Sequence, residues 1–195
     1  MPANFFNANS PRGVECSTPG TGFAVSANAG VAPVEFGNIN PAYPGLFSTF
    51  SAQRLFTAIG SNIVDVRFFV PGSAELALTR GFGVVFTDVD LALTTSIEYF
   101  DSLSQSLGTY FAAAGVGDKT LSFLGVLFTE GPVVSRVRIT SGSEALSSAS
   151  PTGDVVAMDD FIYGEPVSRS LVVPEPGALL LAASALLALR LTRRR

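Results

Sequence analysis

The chain has no histidine, no tryptophan and a single cysteine among 195 residues, and only 14% of its residues are charged. Without histidine there is no Ser-His-Asp or Cys-His nucleophile, no imidazole-ligated zinc and no histidine acid–base chemistry, so a conventional hydrolase is hard to build. The lone Cys16 cannot form an intramolecular disulfide and reads as a small passive side chain. Absence of tryptophan removes the commonest stacking platform for sugars. No glycine-rich phosphate loop or metal-spaced cysteine cluster is present.

Charge is unevenly distributed. Residues 1–170 hold 15 acids and 8 bases, whereas residues 171–195 hold Glu175 against Arg190, Arg193, Arg194 and Arg195. An acidic body with scattered arginines offers no basic face for nucleic acid.

The basic end follows a run of 13 apolar or small residues, Gly177 to Leu189, broken only by Ser184 and including Leu181, Leu186 and Leu189. As a helix this run spans about 20 Å, short against a hydrocarbon core of about 30 Å. It could be a buried core helix or a loose terminal helix. Yet it is apolar all round, which suits a membrane better than the core of so small a body. Arg190 can snorkel, and the terminal arginines suit a cytoplasmic membrane face. Ahead of the run, Pro174 holds the approach extended and Pro176 fits a first helical turn, leaving Glu175 as a rigid charge between them.

Val173-Pro174-Glu175-Pro176, a short hydrophobic helix and terminal arginines together resemble the PEP-CTERM sorting signal of exported proteins in Gram-negative bacteria. Those proteins are often associated with extracellular polysaccharide and biofilm. The resemblance covers residues 172–195. It implies recognition of Pro174, Glu175 and Pro176 by an exosortase, a membrane-embedded cysteine transpeptidase that removes the tail. It also implies passage through the inner membrane to the cell surface or matrix. Such proteins carry an N-terminal leader, and MPANFFNANSPRG has neither a basic nor an apolar leader region. The reading adopted is that a leader lies upstream of Asn4-Phe5-Phe6-Asn7, which already has the character of a mature domain.

Before residue 171 the pattern is that of strands punctuated by turn residues. In IVDVRFFV, Val64, Val66, Phe68 and Val70 share one face and Asp65 and Arg67 the other. GFGVVFTDVD alternates. TSIEYFD and LGTYFA flank SLSQS as a hairpin. LSFLGVLF, nearly all apolar, reads as a central strand. VVSRVRI places Arg136 and Arg138 outward, and DVVAMDDFIY is the last strong strand. Residues 1–50 are loop-rich. The expectation is an all-β, jelly-roll-like antiparallel sandwich over 1–164, a linker over 165–173, and a single hydrophobic helix within a sorting signal over 174–195. The strand order over about residues 5–165 also resembles the β-sandwich domains found upstream of PEP-CTERM tails, which look distantly like carbohydrate-binding jelly rolls.

Two carboxylate pairs are candidate sites for a structural Ca²⁺. Asp88 and Asp90 would share a strand face, or form a solvated strand end. Asp159 and Asp160 interrupt an apolar strand, so one must point inward or to a sheet edge and find a metal or an arginine such as Arg80 or Arg67. Opposed carboxylates could also hydrolyse a glycoside. Tyr99, Phe100, Tyr110 and Tyr163 are candidates for stacking on sugars, or for core and rim positions. The favoured reading is an exported, non-enzymatic surface protein that binds exopolysaccharide; a jelly-roll carbohydrate-active enzyme and a tail-anchored inner-membrane protein are the alternatives.

Overall fold

The computed structural model describes residues 5–9, 11–28, 30–52 and 54–172. The sorting motif Pro174-Glu175-Pro176, the apolar run with Gly177, Leu181, Leu186 and Leu189, and the arginines at 190 and 193–195 lie outside the described residues. Among the described residues no helix is long and apolar enough to cross a membrane.

In chain order the strands are β1 (Val14–Ser17), β2 (Gly22–Val25), β3 (Phe56–Ile59), β4 (Ile63–Phe68), β5 (Ala77–Leu78) and β6 (Gly81–Thr87). They continue as β7 (Ser96–Phe100), β8 (Ser106–Phe111), β9 (Leu121–Leu127), β10 (Arg136–Thr140), β11 (Ala157–Tyr163) and β12 (Val167–Ser168). The described helices are single turns of four residues, α1 (Phe5–Ala8), α2 (Tyr43–Leu46) and α3 (Arg169–Val172). One five-stranded sheet runs β1-β4-β10-β7-β8 and the other β2-β3-β11-β6-β9, with β5 and β12 as a separate pair. Each ladder between named strands is antiparallel. The protein is therefore mostly β, built on two antiparallel sheets.

Alternation accounts for the layers. Val64, Val66 and Phe68 of β4 are fully buried while Arg67 is exposed, and Val137 and Ile139 do the same on β10 between outward Arg136 and Arg138. These side chains meet Phe82, Val84, Phe86 and Met158 in one apolar cluster that also encloses Tyr99 and Cys16. Each fully buried aliphatic or phenyl group contributes about 1.5–3 kcal/mol. Burial pushes the Cys16 thiol up to about 12, with Glu15 adding to the effect, so it stays an inert neutral group. A second cluster, Phe36, Tyr43, Phe47, Leu55, Leu146 and Val155, anchors the loop-rich stretch before β3.

The central strand is not LSFLGVLF. That segment is β9, the edge of its sheet, with alternate residues exposed. The fully buried strand is β6, whose inner face packs in the core. Its outer face is covered because Gly83 lies under the Phe123 ring and Thr87 accepts the Ser48 N–H at 2.9 Å. An all-apolar run marks a strand covered on both faces only if something is there to cover it, and here the cover falls on its neighbour.

The stretch read as a linker is also tied to the body. Val167 pairs with Leu78 and Ser168 with Ala77. Five short strands, β1, β2, β3, β5 and β12, escape the periodicity argument because two to four residues carry too little pattern.

Candidate functional site

At one end of the sandwich the chain leaves β6 by a sharp turn. Asp88 adopts φ +68°, a left-handed conformation that aspartate tolerates better than most residues. Its N–H donates to the Thr120 carbonyl at 2.9 Å, and its carboxylate accepts the Lys119 N–H at 3.2 Å. Asp154 arrives from the opposite direction, just before β11. One of its carboxylate oxygens accepts the Asp90 N–H at 3.0 Å, and the other accepts the Thr94 hydroxyl. Its own N–H donates to Ser143 Oγ at 2.9 Å, and its carbonyl accepts the Ser143 and Glu144 N–H groups.

The result gathers Asp88, Asp90, Asp118 and Asp154 into one acidic neighbourhood. Asp88 and Asp154 are each 2% exposed. Burial first, then repulsion from Asp90, Asp118 and Asp154, pushes the Asp88 carboxyl up to about 7, against the pull of the Lys119 N–H. Burial and the charges of Asp154 and Asp118 also raise Asp90. A carboxyl that holds its proton near neutrality beside other acids is an arrangement suited to proton transfer or to drawing in a cation. Among the described residues, no group of three or more Asp, Glu or Cys side chains is arranged to hold a metal ion.

The two carboxylate pairs named from sequence do not meet. Thr87 of β6 is opposite Ala157, so Asp88 lies beyond that end of the ladder, whereas Asp159 and Asp160 sit in a bulge between the Met158 and Phe161 pairings. That bulge resolves the problem of adjacent acids in an apolar strand. Asp159 is buried beneath the loop before β3 and accepts the Phe50 N–H at 2.6 Å, the Ser51 N–H at 3.2 Å and the Ser51 hydroxyl at 3.2 Å. Burial raises its carboxyl and these donors oppose the rise. Asp159 therefore secures the loop beside β6, with a backbone turn as its partner where an arginine was expected; Asp160 is half-buried alongside. Asp118 and Asp154 were not singled out in the sequence, since a turn and a loop 36 residues apart carry no shared spacing.

The aromatic candidates divide. Tyr99 is fully buried and its hydroxyl donates to the Phe82 carbonyl at 2.7 Å, so it is a core residue. Tyr163 packs against the core and donates to the Arg12 carbonyl at 3.1 Å. Phe100 lies beneath the Arg136 guanidinium, 3.6 Å from ring centroid to carbon, and Tyr110 is 40% exposed. An exposed ring-bearing surface that the sequence did not single out lies on the outer face of the β2-β3-β11-β6-β9 sheet. There Phe50, Leu121, Phe123 and Ile162 surround a shallow depression floored by Val85. Phe123 packs over Gly83 and Gly125, close enough that a Cβ on either glycine would come within 3 Å of the ring.

No protein-family model matches the chain, and no curated protein matches it. Solved structures do. One is a glycoside hydrolase family 43 arabinoxylan arabinofuranohydrolase from Bacillus subtilis in complex with cellotetraose, 13% identical with a TM-score of 0.36, the match covering 73% of this chain and 24% of that one. Another is the enzymatically active domain of tailspike protein 4 of Bacteriophage CBA120, 14% identical with a TM-score of 0.36, covering 85% of this chain and 20% of that one. The chain thus spans a quarter or less of these two structures.

Proposed function

We propose that this chain is an exported, non-enzymatic surface or extracellular-matrix protein whose jelly-roll-like body binds exopolysaccharide and whose tail is cleaved by an exosortase-type transpeptidase. The observation that carries this reading is the order of parts at the C-terminal end: Pro174-Glu175-Pro176, the apolar run Gly177 to Leu189, then Arg190 and Arg193 to Arg195. Two prolines stiffen the approach and present Glu175 just outside the membrane segment. The arginines resist translocation and hold the tail at the cytoplasmic face until it is cut. The exposed Phe123 ring supports the saccharide part of the reading, because a phenyl group that is 58% exposed can stack on a sugar ring.

The test is the intact mass of the protein from its native host, with membrane and extracellular fractions run separately. A mass ending near Pro174-Glu175-Pro176 supports sorting. A mass running through Arg195 in both fractions overturns it and leaves a tail-anchored inner-membrane protein.

One observation favours a carbohydrate-active enzyme as second reading: Asp88, a carboxyl near neutrality, stands beside Asp90 and Asp154. Polysaccharide cleavage lost in both Asp88→Asn and Asp90→Asn would support it, and inertness of the unmodified protein across acidic and neutral polysaccharides would sink it.

A further inference from the structure

On the outward face of the other sheet, three of the body's eight basic side chains converge. Arg67 of β4 is directly opposite Arg136 of β10 in the ladder, and Arg169, at the start of α3, joins them at a cleft of about 150 Å³. Ser102, Ser104 and Ser135 line the same cleft, with Leu76 and Ala77 as its apolar wall. Like charges directly opposite in a ladder are destabilising, so a pair of facing guanidiniums needs compensation. Asp65 supplies part of it, but both its oxygens are already taken, by Arg136 at 2.6 Å and by Arg138 at 2.8 Å. Glu15 faces Arg67 across β1. No carboxylate among the described residues makes an ion pair with Arg67 or Arg169.

The cleft is held in shape before anything enters it. Arg136 is clamped between Asp65 and the Phe100 ring. Arg169 is positioned by the pairing of β12 with β5, by its N–H on the Leu76 carbonyl at 3.3 Å, and by its guanidinium on the Ser102 carbonyl at 3.3 Å. The serine wall is a tight turn organised by Asp101, whose Oδ1 accepts the Leu103 and Gln105 N–H groups at 2.8 Å each. Ser104 takes φ +63° within that turn. The positioned Arg136 and Arg169 guanidiniums, with the exposed Arg67 and the Ser102 and Ser104 hydroxyls beside them, match planar or tetrahedral oxyanions, which accept several charge-assisted hydrogen bonds at once.

We infer that the Arg67–Arg136–Arg169 cleft is a binding site for an oxyanion group, a carboxylate or sulfate carried on an acidic polysaccharide. The polymer part rests on the exopolysaccharide reading above; the oxyanion part stands on the cleft itself. Arg67 is exposed, Arg169 is half-buried, and neither is ion-paired among the described residues, so both can be neutralised without opening the core.

The experiment is affinity electrophoresis of the full chain in polygalacturonate, dextran sulfate or uncharged dextran, with sodium sulfate as the small competitor and melting temperature as a folding check. Three proteins are compared: the unaltered chain, the pair Arg67→Gln/Arg169→Gln, and the charge-matched pair Arg12→Gln/Arg54→Gln, which lies outside the cleft. The unaltered chain should be retarded by the anionic polymers, released by sulfate and unaffected by dextran. The cleft pair should lose at least tenfold in affinity while the matched pair stays within twofold. An equal loss in both pairs, or no effect of any anion on the unaltered chain, overturns the inference. Sulfate-dependent stabilisation confined to proteins with an intact cleft, without retardation by any polymer, keeps the oxyanion site and defeats the polysaccharide reading. Retardation by dextran alone does the reverse.

Discussion

The phenol of Tyr43 is bonded twice to the backbone of Ser147, 104 residues away, accepting its N–H at 2.8 Å and donating to its carbonyl at 2.9 Å. This one hydroxyl ties the loop-rich stretch before β3 to the segment between β10 and β11. Tyr43→Phe leaves the N–H and carbonyl of Ser147, an exposed residue, without that partner. The expected cost is about 0.5–1.5 kcal/mol in urea unfolding of the full chain, with no change in the slope of the transition.

Gly142 positions Asp154 in the acidic neighbourhood. It has φ +69°, and a Cβ there would lie 2.3 Å from the Asp154 carbonyl oxygen. Gly142→Ala should cost about 1–3 kcal/mol from the backbone conformation alone, before any displacement of Asp154 is counted. A melting temperature equal to that of the unaltered chain would contradict the placement.

Asp88 should make stability fall as pH rises. Its folded carboxyl sits near 7, well above the usual unfolded value of about 4. Between those values the native state binds more protons than the unfolded state, so the unfolding free energy declines with rising pH and levels off above about 7. Asp88→Asn keeps an acceptor for the Lys119 N–H and removes the ionisation. Unfolding measured from pH 4 to 8 should therefore be flatter in the variant, which should also gain about 1–3 kcal/mol at pH 8.

Asp65 should act in the opposite sense. Burial alone would raise it, but the hydrogen bonds from Arg138 and Arg136 hold it below the usual carboxylate range. Its contribution is present above the unfolded value of about 4 and is lost as pH falls through the lower folded value. Asp65→Asn should therefore destabilise at pH 6 and lose that effect progressively as pH falls below about 4. It also leaves Arg136 facing Arg67 with less compensation, so added sulfate should stabilise this variant more than the unaltered chain.

Edge strand β9 carries neither charge nor proline from Leu121 to Leu127, and Leu121, Phe123 and Leu127 are 43%, 58% and 69% exposed. Such an edge is prone to pairing with another chain. Phe123→Lys should reduce concentration-dependent light scattering at a stability cost of about 1 kcal/mol or less. Scattering that does not change would show that the edge is already protected.

The β class, the positions of β4 and of β6 to β11, the β7–β8 hairpin and the outward arginines of β10 were legible in the sequence. They follow from period-two alternation or, for β9, from an apolar run, both local properties of the chain. The tail pattern from Pro174 to Arg195 is likewise a sequence property, complete in its own order of residues. Which strand is central was decided only in three dimensions, because LSFLGVLF and GFGVVFT are both apolar and only sheet order distinguishes edge from middle. The bulge that turns Asp159 toward Phe50 and Ser51, the meeting of Asp88 with Asp154, and the convergence of Arg67, Arg136 and Arg169 belong to the same class. They join residues tens of positions apart through register, and no local periodicity records register between distant strands.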